Sequence, residues 1–195
     1  RILVKENDST LWMSHSYRGI YKISFHEKSV FKHTVTLYNV ENGLPSNLKN
    51  TVHLIDGQLK ISTENGFFTY DHDAETFKSD VLFNTFFMED QISDLQLDMY
   101  GNIYFISDNS VGFLEKKGVS RYEKHSSPFN SIRNLLNDDL TNINIISPSQ
   151  VLFGAKEGFL LFDRNLYWTT EQEIFRTMIR NVTNIGEQTK VLYQG

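Results

Sequence analysis

The sequence of 195 residues contains no cysteine and only three prolines. Without cysteine the chain can form no disulfide, no thiolate metal site and no cysteine nucleophile, although this absence does not fix the cellular compartment. No run approaches the roughly 18 consecutive apolar residues of a membrane-spanning helix. The chain begins Arg1-Ile2-Leu3 without the charged and apolar regions of a signal peptide, so we expect it to be part of a longer protein.

Positively charged residues are also fewer than negatively charged ones. There are 19 Lys and Arg residues against 24 Asp and Glu residues, a formal net charge of −5, which argues against a nucleic-acid-binding surface. Hydrophobic residues make up 39% of the chain and charged residues 22%, so the composition is that of a folded domain and not of a disordered chain or coiled coil.

Aromatic residues are abundant instead. Fifteen Phe, nine Tyr and two Trp make up 13% of the sequence, mostly in short runs separated by clusters of Asn, Asp and Gly. Aromatic runs between turn-forming residues are typical of strands joined by tight turns. The composition therefore predicts an all-β protein.

A repeat of about 46 residues organises these runs. Gly19, Gly66, Gly112 and Gly158 are 47, 46 and 46 residues apart, and each precedes an apolar run. A second apolar run lies before each glycine and a third lies further upstream, while a more polar run follows each of the first three copies. Runs of four to seven residues suit strands and are too short for helices. We expect the glycines to occupy sharp turns at positive φ.

Four strands in such a repeat are the pattern of a β-propeller blade. One unit would expose two apolar faces, and stacking units face to face buries them. The sequence therefore predicts four consecutive four-stranded blades. We expect them to be part of an open, larger ring and not a closed four-bladed one, with apolar flanking faces.

The repeat ends near Asp163, and Trp168-Thr169-Thr170 breaks its pattern. The apolar residues at 174, 175, 178, 179 and 182 fit either one side of a helix or an extended segment, and the periodicity does not choose between them. Gly186-Glu187 is placed to turn the chain into Val191-Leu192-Tyr193.

Several of these segments resemble the two-component regulator propeller repeat. Residues 38–47, ending in Gly43-Leu44-Pro45-Ser46-Asn47, are similar to that family's joint between blades. Leu11-Trp12-Met13-Ser14 followed by Gly19-Ile20-Tyr21 resembles its blade core, and residues 175–183 and 191–195 resemble the start of its triple-tyrosine sandwich. The chain departs from the family in having this joint only once and in carrying Lys60 where the second strand usually has an aromatic residue.

This resemblance implies propeller blades at 1–165, then a linker and the first strands of the sandwich at 166–195. It implies a periplasmic ligand-sensing region of a membrane-bound regulator from Bacteroidetes-like bacteria, with a kinase or DNA-binding output elsewhere in the protein. The implied ligand is an oligosaccharide or similar small molecule, and the other implied partners are the remaining blades and the sandwich. A homodimer is left open.

No catalytic pattern competes with this interpretation. The six histidines form no metal-binding pair, and the sequence has no Gly-x-Ser-x-Gly elbow and no glycine-rich phosphate loop, so we expect no metal, no cofactor and no enzymatic activity in this region. Two alternatives stay open: a protein-interaction scaffold like WD-repeat propellers, and a propeller glycosidase or lyase. A recurring acid pair or arginine cluster would favour the enzyme, and the sequence shows neither.

The ligand-binding residues are predicted from topology. In a four-stranded meander, the turn between the second and third strands and the connection between blades emerge at the same end of the sheets. Aromatic rings there can stack on sugar faces while amides and charges bind hydroxyls. The candidate ligand-binding residues are Tyr17, Arg18, Asn65, Asp108, Asn109 and Lys156.

Overall fold

The structure, a computed structural model, describes residues 2–27, 29–88, 90–137, 140–170, 181–184 and 190–194. The chain divides into two compact units, Arg1–Phe162 and Asp163–Gly195. Every strand pair in the described residues is antiparallel, and the sheets follow one another along the chain without crossovers. The prediction of an all-β protein is confirmed.

Each of the first three sheets is a four-stranded meander, as predicted. The first contains β1 (Leu3–Asn7), β2 (Thr10–His15), β3 (Gly19–His26) and β4 (Ser29–Tyr38). The second contains β5 (Thr51–Ile55), β6 (Gln58–Thr63), β7 (Gly66–Asp71) and β8 (Thr76–Ser79). The third contains β9 (Ile92–Leu97), β10 (Ile103–Ser107), β11 (Val111–Gly118) and β12 (Arg121–His125).

The fourth sheet has three strands in the described part of the chain: β13 (Ile143–Ile145), β14 (Gln150–Ala155) and β15 (Gly158–Asp163). A helix, α1 (Val81–Phe87), follows the second sheet, and a second helix, α2 (Arg164–Thr170), follows β15. The Asp163 carboxylate accepts a hydrogen bond from Asn165 N at 2.9 Å, the contact of a residue that starts a helix.

The second unit also contains a hairpin of β16 (Asn181–Asn184) and β17 (Lys190–Gln194). The segment 171–180, for which the sequence allowed a helix or an extended chain, lies outside the described residues.

The sheets of the first unit pack face to face through aromatic side chains. Trp12 and Tyr38 of the first sheet meet Tyr70 and Phe77 of the second, and the Tyr38 and Tyr70 hydroxyls lie 2.7 Å apart. Phe67 of the second sheet joins a buried cluster that includes Phe105 of the third. Aromatic rings cover large apolar areas and prefer tilted contacts, so a few of them fill each interface.

The third and fourth sheets meet in the same way. Phe113 and Phe129 pack against Phe153 and Phe162, with ring centroids 4.7 to 6.2 Å apart along the chain of contacts. Polar side chains also join neighbouring sheets, because Ser14 Oγ accepts from Val52 N at 2.9 Å and Asp94 accepts from Ile143 N at 2.7 Å.

The repeated glycines lie at the start of the third strand of each sheet, and two different reasons require glycine there. Gly19, Gly66 and Gly158 have φ of 97°, 96° and 130°, a region that suits glycine. Gly112 is not at positive φ, so the prediction of positive φ was wrong for this glycine. A Cβ at Gly112 would instead lie 2.4 Å from the carbonyl oxygen of His125, so close packing of β12 requires the glycine.

The more polar run that follows the second copy of the repeat, at residues 77–83, is a strand only as far as Ser79, and helix α1 begins at Val81. Strand β8 ends at Ser79, and the Asp80 carboxylate accepts a hydrogen bond from Phe83 N at 2.9 Å, capping the helix. The helix buries Phe83 and Phe87 in the interface with the third sheet. Apolar residues at 83 and 87, one helical turn apart, are the sequence signal for this helix.

Candidate functional site

The six predicted ligand-binding residues all lie in turns between the second and third strands of a sheet, and all are exposed. Tyr17 and Arg18 belong to the first sheet, Asn65 to the second, and Asp108 and Asn109 to the third. Lys156 occupies the corresponding turn of the fourth sheet. Tyr17 is 76% exposed, so its ring is open to a ligand.

Lys49, which the sequence analysis did not single out, connects three of these turns. Its backbone N donates to Ser16 O at 3.3 Å, and its Nζ lies 2.6 Å from the Glu64 carboxylate. The hydrogen bond that Lys49 donates to the Glu64 carboxylate raises the pKa of Lys49, and the Asp108 carboxylate adds to this effect. The structure therefore brings the turns of the first, second and third sheets to one polar end of the first unit.

The turn of the third sheet is held in a fixed conformation. Asp90 accepts hydrogen bonds from Ser107 Oγ at 2.7 Å and from Ser110 Oγ at 3.0 Å, and it also accepts from Asn109 N at 3.2 Å. Arg133 donates to the carbonyl oxygens of Ser107 and Asp108. The backbone of this turn is thus braced from both sides, while the Asp108 side chain remains exposed.

The turn of the fourth sheet is linked to the same network through the connection that precedes that sheet. Lys156 N donates to Leu135 O at 2.9 Å, and Lys156 Nζ lies 3.3 Å from Asn134 O. Because Arg133 contacts Asp108, the chain of contacts runs from the third turn to Lys156. Tyr17 and Lys156 belong to opposite ends of this series of turns.

A cavity of about 230 Å³ opens between the first three sheets at the polar end. It lies where β5 and β9 begin, and it is lined by residues of four segments. Its polar lining residues include Ser16, Lys49, Asn50, Thr51, Gln91 and Ser93. Sequence reasoning missed these residues, although Lys49 and Asn50 lie two and three residues after the joint at residues 38–47.

A larger cavity, of about 690 Å³, lies at the other end of the second and third sheets. Its floor contains the buried pair of Lys60 and Asp80, whose Nζ and Oδ2 atoms are 2.5 Å apart. Lys60 also donates to Thr69 Oγ1 at 3.1 Å and Gln58 Oε1 at 3.3 Å, so its three protons are used within the protein. Every charge here has a partner, and this cavity offers a ligand no free charged group in the described residues.

Glu115, Glu123 and His125 place potential metal-ligating atoms within 4.8 Å of one another on β11 and β12. The Lys117 ammonium lies 2.7 Å from Glu115 and 3.5 Å from Glu123, and it thereby balances the paired carboxylates with a positive charge from the protein itself. A divalent cation would have to displace this lysine, so the cluster adds no metal site to the candidate functional site.

In the described residues, no helix combines the length and apolarity needed to cross a membrane. No protein-family model matches the sequence, and no curated protein matches it either.

Solved structures do match the fold. One is the extracellular domain of BT3049 from B. thetaiotaomicron, classed as a hybrid two-component system, with 16% identity and a TM-score of 0.54 over 84% of this chain. Two structures of the extracellular domain of BT4673 from the same organism, classed as a one-component system in one case and a hybrid two-component system in the other, match with TM-scores of 0.58 and 0.55. Their identities are 14% and 18%, over 83% of this chain.

The chain spans only about a fifth of these neighbours, 20% of the first and 21% and 22% of the other two. At such identities the likeness is one of fold. The resemblance recognised in the sequence agrees with it, because these neighbours are extracellular domains of two-component-type systems.

Proposed function

We propose that this chain is part of the extracytoplasmic, ligand-sensing region of a bacterial membrane-bound signal-transduction regulator, and that it acts without catalysis. The observation that carries the proposal is the likeness of its fold to extracellular domains of such systems over more than four fifths of the chain. The polar end, with its exposed turns gathered around Lys49, supports it as a surface for a small ligand.

In this proposal the four sheets are consecutive blades of a larger β-propeller that occupy residues 1–165. Residues 166–195 are the linker and first strands of a following sandwich. The assignment of blades is supported by the face-to-face packing of four meanders that repeat with the same glycine spacing. The hairpin of β16 and β17 is consistent with a second β-domain. The region would reside in the periplasm.

The proposed ligand is an oligosaccharide or a similar small molecule bound at the polar end. Tyr17 offers an exposed ring for stacking, and Arg18 offers a planar set of donors. Asn65, Asp108, Asn109 and Lys156 add amide and charged groups from the other turns. Binding signals only if the ligand has different affinities for two arrangements of the protein, so the bound state would change how these sheets sit against the rest of the receptor.

The test replaces Tyr17 and Arg18 by Ala together in the full-length receptor and measures the dose response of its output to a panel of oligosaccharides. We expect a shift to higher ligand concentration of roughly tenfold, which corresponds to about 1.4 kcal/mol for the lost ring and guanidinium contacts. The matched control replaces Tyr100 and Arg121, an exposed tyrosine and arginine at the other end of the third sheet. An equal dose response for wild type and the Tyr17/Arg18 variant would contradict the assignment of these residues, and turnover of any saccharide would contradict the non-enzymatic function.

A further inference from the structure

Asn50 carries a buried acceptor that the fold leaves unused. The residue is 2% exposed and lines the 230 Å³ cavity at the polar end. Its Nδ2 donates to Ser46 O at 2.7 Å, but its Oδ1 has no hydrogen-bond donor among the described residues. A buried acceptor without a donor costs about 1–3 kcal/mol, so its presence calls for a cause.

The orientation of the amide is fixed by its own contact. Exchanging the oxygen and nitrogen would place two acceptor oxygens 2.7 Å apart, at Asn50 and Ser46, and would remove the bond that holds the side chain. The oxygen therefore remains the atom without a partner. It is buried on every side, the cavity side included, so a donor in the cavity reaches it only when the amide turns toward the cavity. The torsion of an Asn amide about its terminal bond is broad, and a small rotation toward the cavity is inexpensive.

The remaining lining determines the charge of a suitable occupant. The ammonium of Lys49 is balanced by the Glu64 carboxylate at 2.6 Å, and Asp108 contributes further negative charge nearby. The other polar lining groups are the hydroxyls of Ser14, Ser16, Thr51 and Ser93 and the amide of Gln91. A site with no unpaired positive charge and with several hydroxyls and amides suits a neutral ligand with many hydroxyl groups.

The volume of the cavity and its apolar lining residues further restrict the kind of ligand that it can bind. The cavity volume of about 230 Å³ lies below the roughly 300–1,000 Å³ of sites for drug-sized ligands, so it admits one small ring. Ile2 and Ile92 also line the cavity, and they can contact the C–H face of such a ring.

We propose that this cavity binds a single neutral sugar residue, either free or as one unit of an oligosaccharide, and that Asn50 Oδ1 accepts a hydrogen bond from one of its hydroxyls. This inference rests on the proposed sensing function and gives it a specific subsite. Asn50 is a ligand-contacting residue in this proposal, and Gln91 and Ser93, which also line the cavity, supply further donors.

The experiment titrates the full-length protein by calorimetry with D-glucose, D-galactose, D-mannose and D-xylose, and with D-glucuronate as the acidic comparison. We expect at least one neutral sugar to bind and D-glucuronate to bind at least tenfold more weakly. Asn50→Leu removes the acceptor at similar volume and should weaken binding of that sugar at least tenfold. Asn144→Leu, at an exposed position of β13 outside the cavity, should leave the affinity unchanged. If Asn50→Leu does not fold, the Gln91→Ala/Ser93→Ala variant carries the test with the same expectation.

Three results would overturn the subsite: no neutral sugar binds the wild type, the Asn50→Leu variant binds as tightly as the wild type, or a crystal structure with the sugar shows only an ordered water at Oδ1. These results are distinguishable from failure of the proposed function. A receptor whose output still responds to a ligand through Tyr17 and Arg18 while Asn50→Leu has no effect retains the sensing function and loses only this subsite.

Discussion

Lys60 shows how one residue changes the interior of a repeat. The corresponding positions of the first and third sheets hold the buried aromatic residues Trp12 and Tyr104, whereas the second sheet buries a lysine. The side chains of Lys60 and Asp80 are 7% and 6% exposed, and Asp80 also caps helix α1. Burial of an ion pair is tolerated only where both charges are hydrogen-bonded, as they are here.

We predict that Lys60→Met lowers the free energy of unfolding by about 3 kcal/mol, because it leaves the Asp80 carboxylate buried without its counter-charge. Adding Asp80→Asn should recover most of the loss, since asparagine is neutral and still caps the helix. Urea unfolding of the single and double variants measures both values. A double variant less stable than Lys60→Met alone would contradict this account.

His53 predicts a pH dependence of stability. Burial lowers the pKa of His53 to about 4 from its usual 6.5, because the charged imidazolium is poorly solvated in the interior. The unfolded chain therefore takes up a proton near pH 6.5, while the folded protein takes it up only near pH 4. The resulting contribution is present above pH 6.5, decreases as the pH falls toward 4, and amounts to about 3 kcal/mol over that range.

His53→Gln should make this part of the pH profile flatter in urea unfolding measured between pH 7 and pH 4. Gln can still form a hydrogen bond with Ser62, whose Oγ lies 2.9 Å from His53 Nε2. His26→Gln on the exposed end of β3 is the control and should retain the wild-type slope. An unchanged slope in His53→Gln would show that other groups dominate this range.

Among the elements, the strands that start at repeated glycines leave little room for any other residue at that position. A Cβ at Gly19 would lie 2.2 Å from the backbone oxygen of Tyr38. Tyr38 is in β4, and moving this strand away would break its pairing with β3. Gly57 also has positive φ, at 75°, but no atom lies within 4 Å of a Cβ there. Substitution of Gly57 therefore tests only the cost of positive φ, whereas substitution of Gly19 adds a steric clash to that cost.

We predict that Gly57→Ala costs about 1 kcal/mol, the penalty of the left-handed conformation alone, and that Gly19→Ala costs clearly more because the contact with Tyr38 is added. Denaturant unfolding of the two variants gives the comparison directly. Equal losses would indicate that β4 moves freely away from β3 at this point.

At the scale of the whole molecule, the first sheet presents an open apolar face. Trp12 packs toward the second sheet, so Leu11 and Met13 point to the opposite side of β2, with Ile23 and Tyr21 directly across on β3. The equivalent residues of the second sheet, Leu59 and Ile61, are 1% and 0% exposed because the first sheet covers them. Leu11 and Met13 are only half-buried. In the proposed propeller a further blade would cover this face.

We predict that the isolated chain of 195 residues self-associates through this face and that Met13→Lys reduces the association in light scattering. The same change at the covered position, Ile61→Lys, should instead destabilise the fold, because it buries an unpaired charge. Association that is equal in the wild type and Met13→Lys would contradict a role for the open face.

The order of short apolar runs and the glycine register determined the all-β fold, the meanders and the end of the sheets at which the exposed turns lie. These features are local, since strand periodicity and turn chemistry act over a few residues. The cap at Asp80 and the spacing of Phe83 and Phe87 are local signals for helix α1, whereas the pairing of Asp80 with Lys60, twenty residues away, arises only in the tertiary structure. Only the tertiary structure joined Lys49 to Glu64 and the turn at Ser16, and only it placed Asn50 beside Gln91 and Ser93. Contacts between separate repeats arise when their faces pack, and no periodicity within one repeat encodes them.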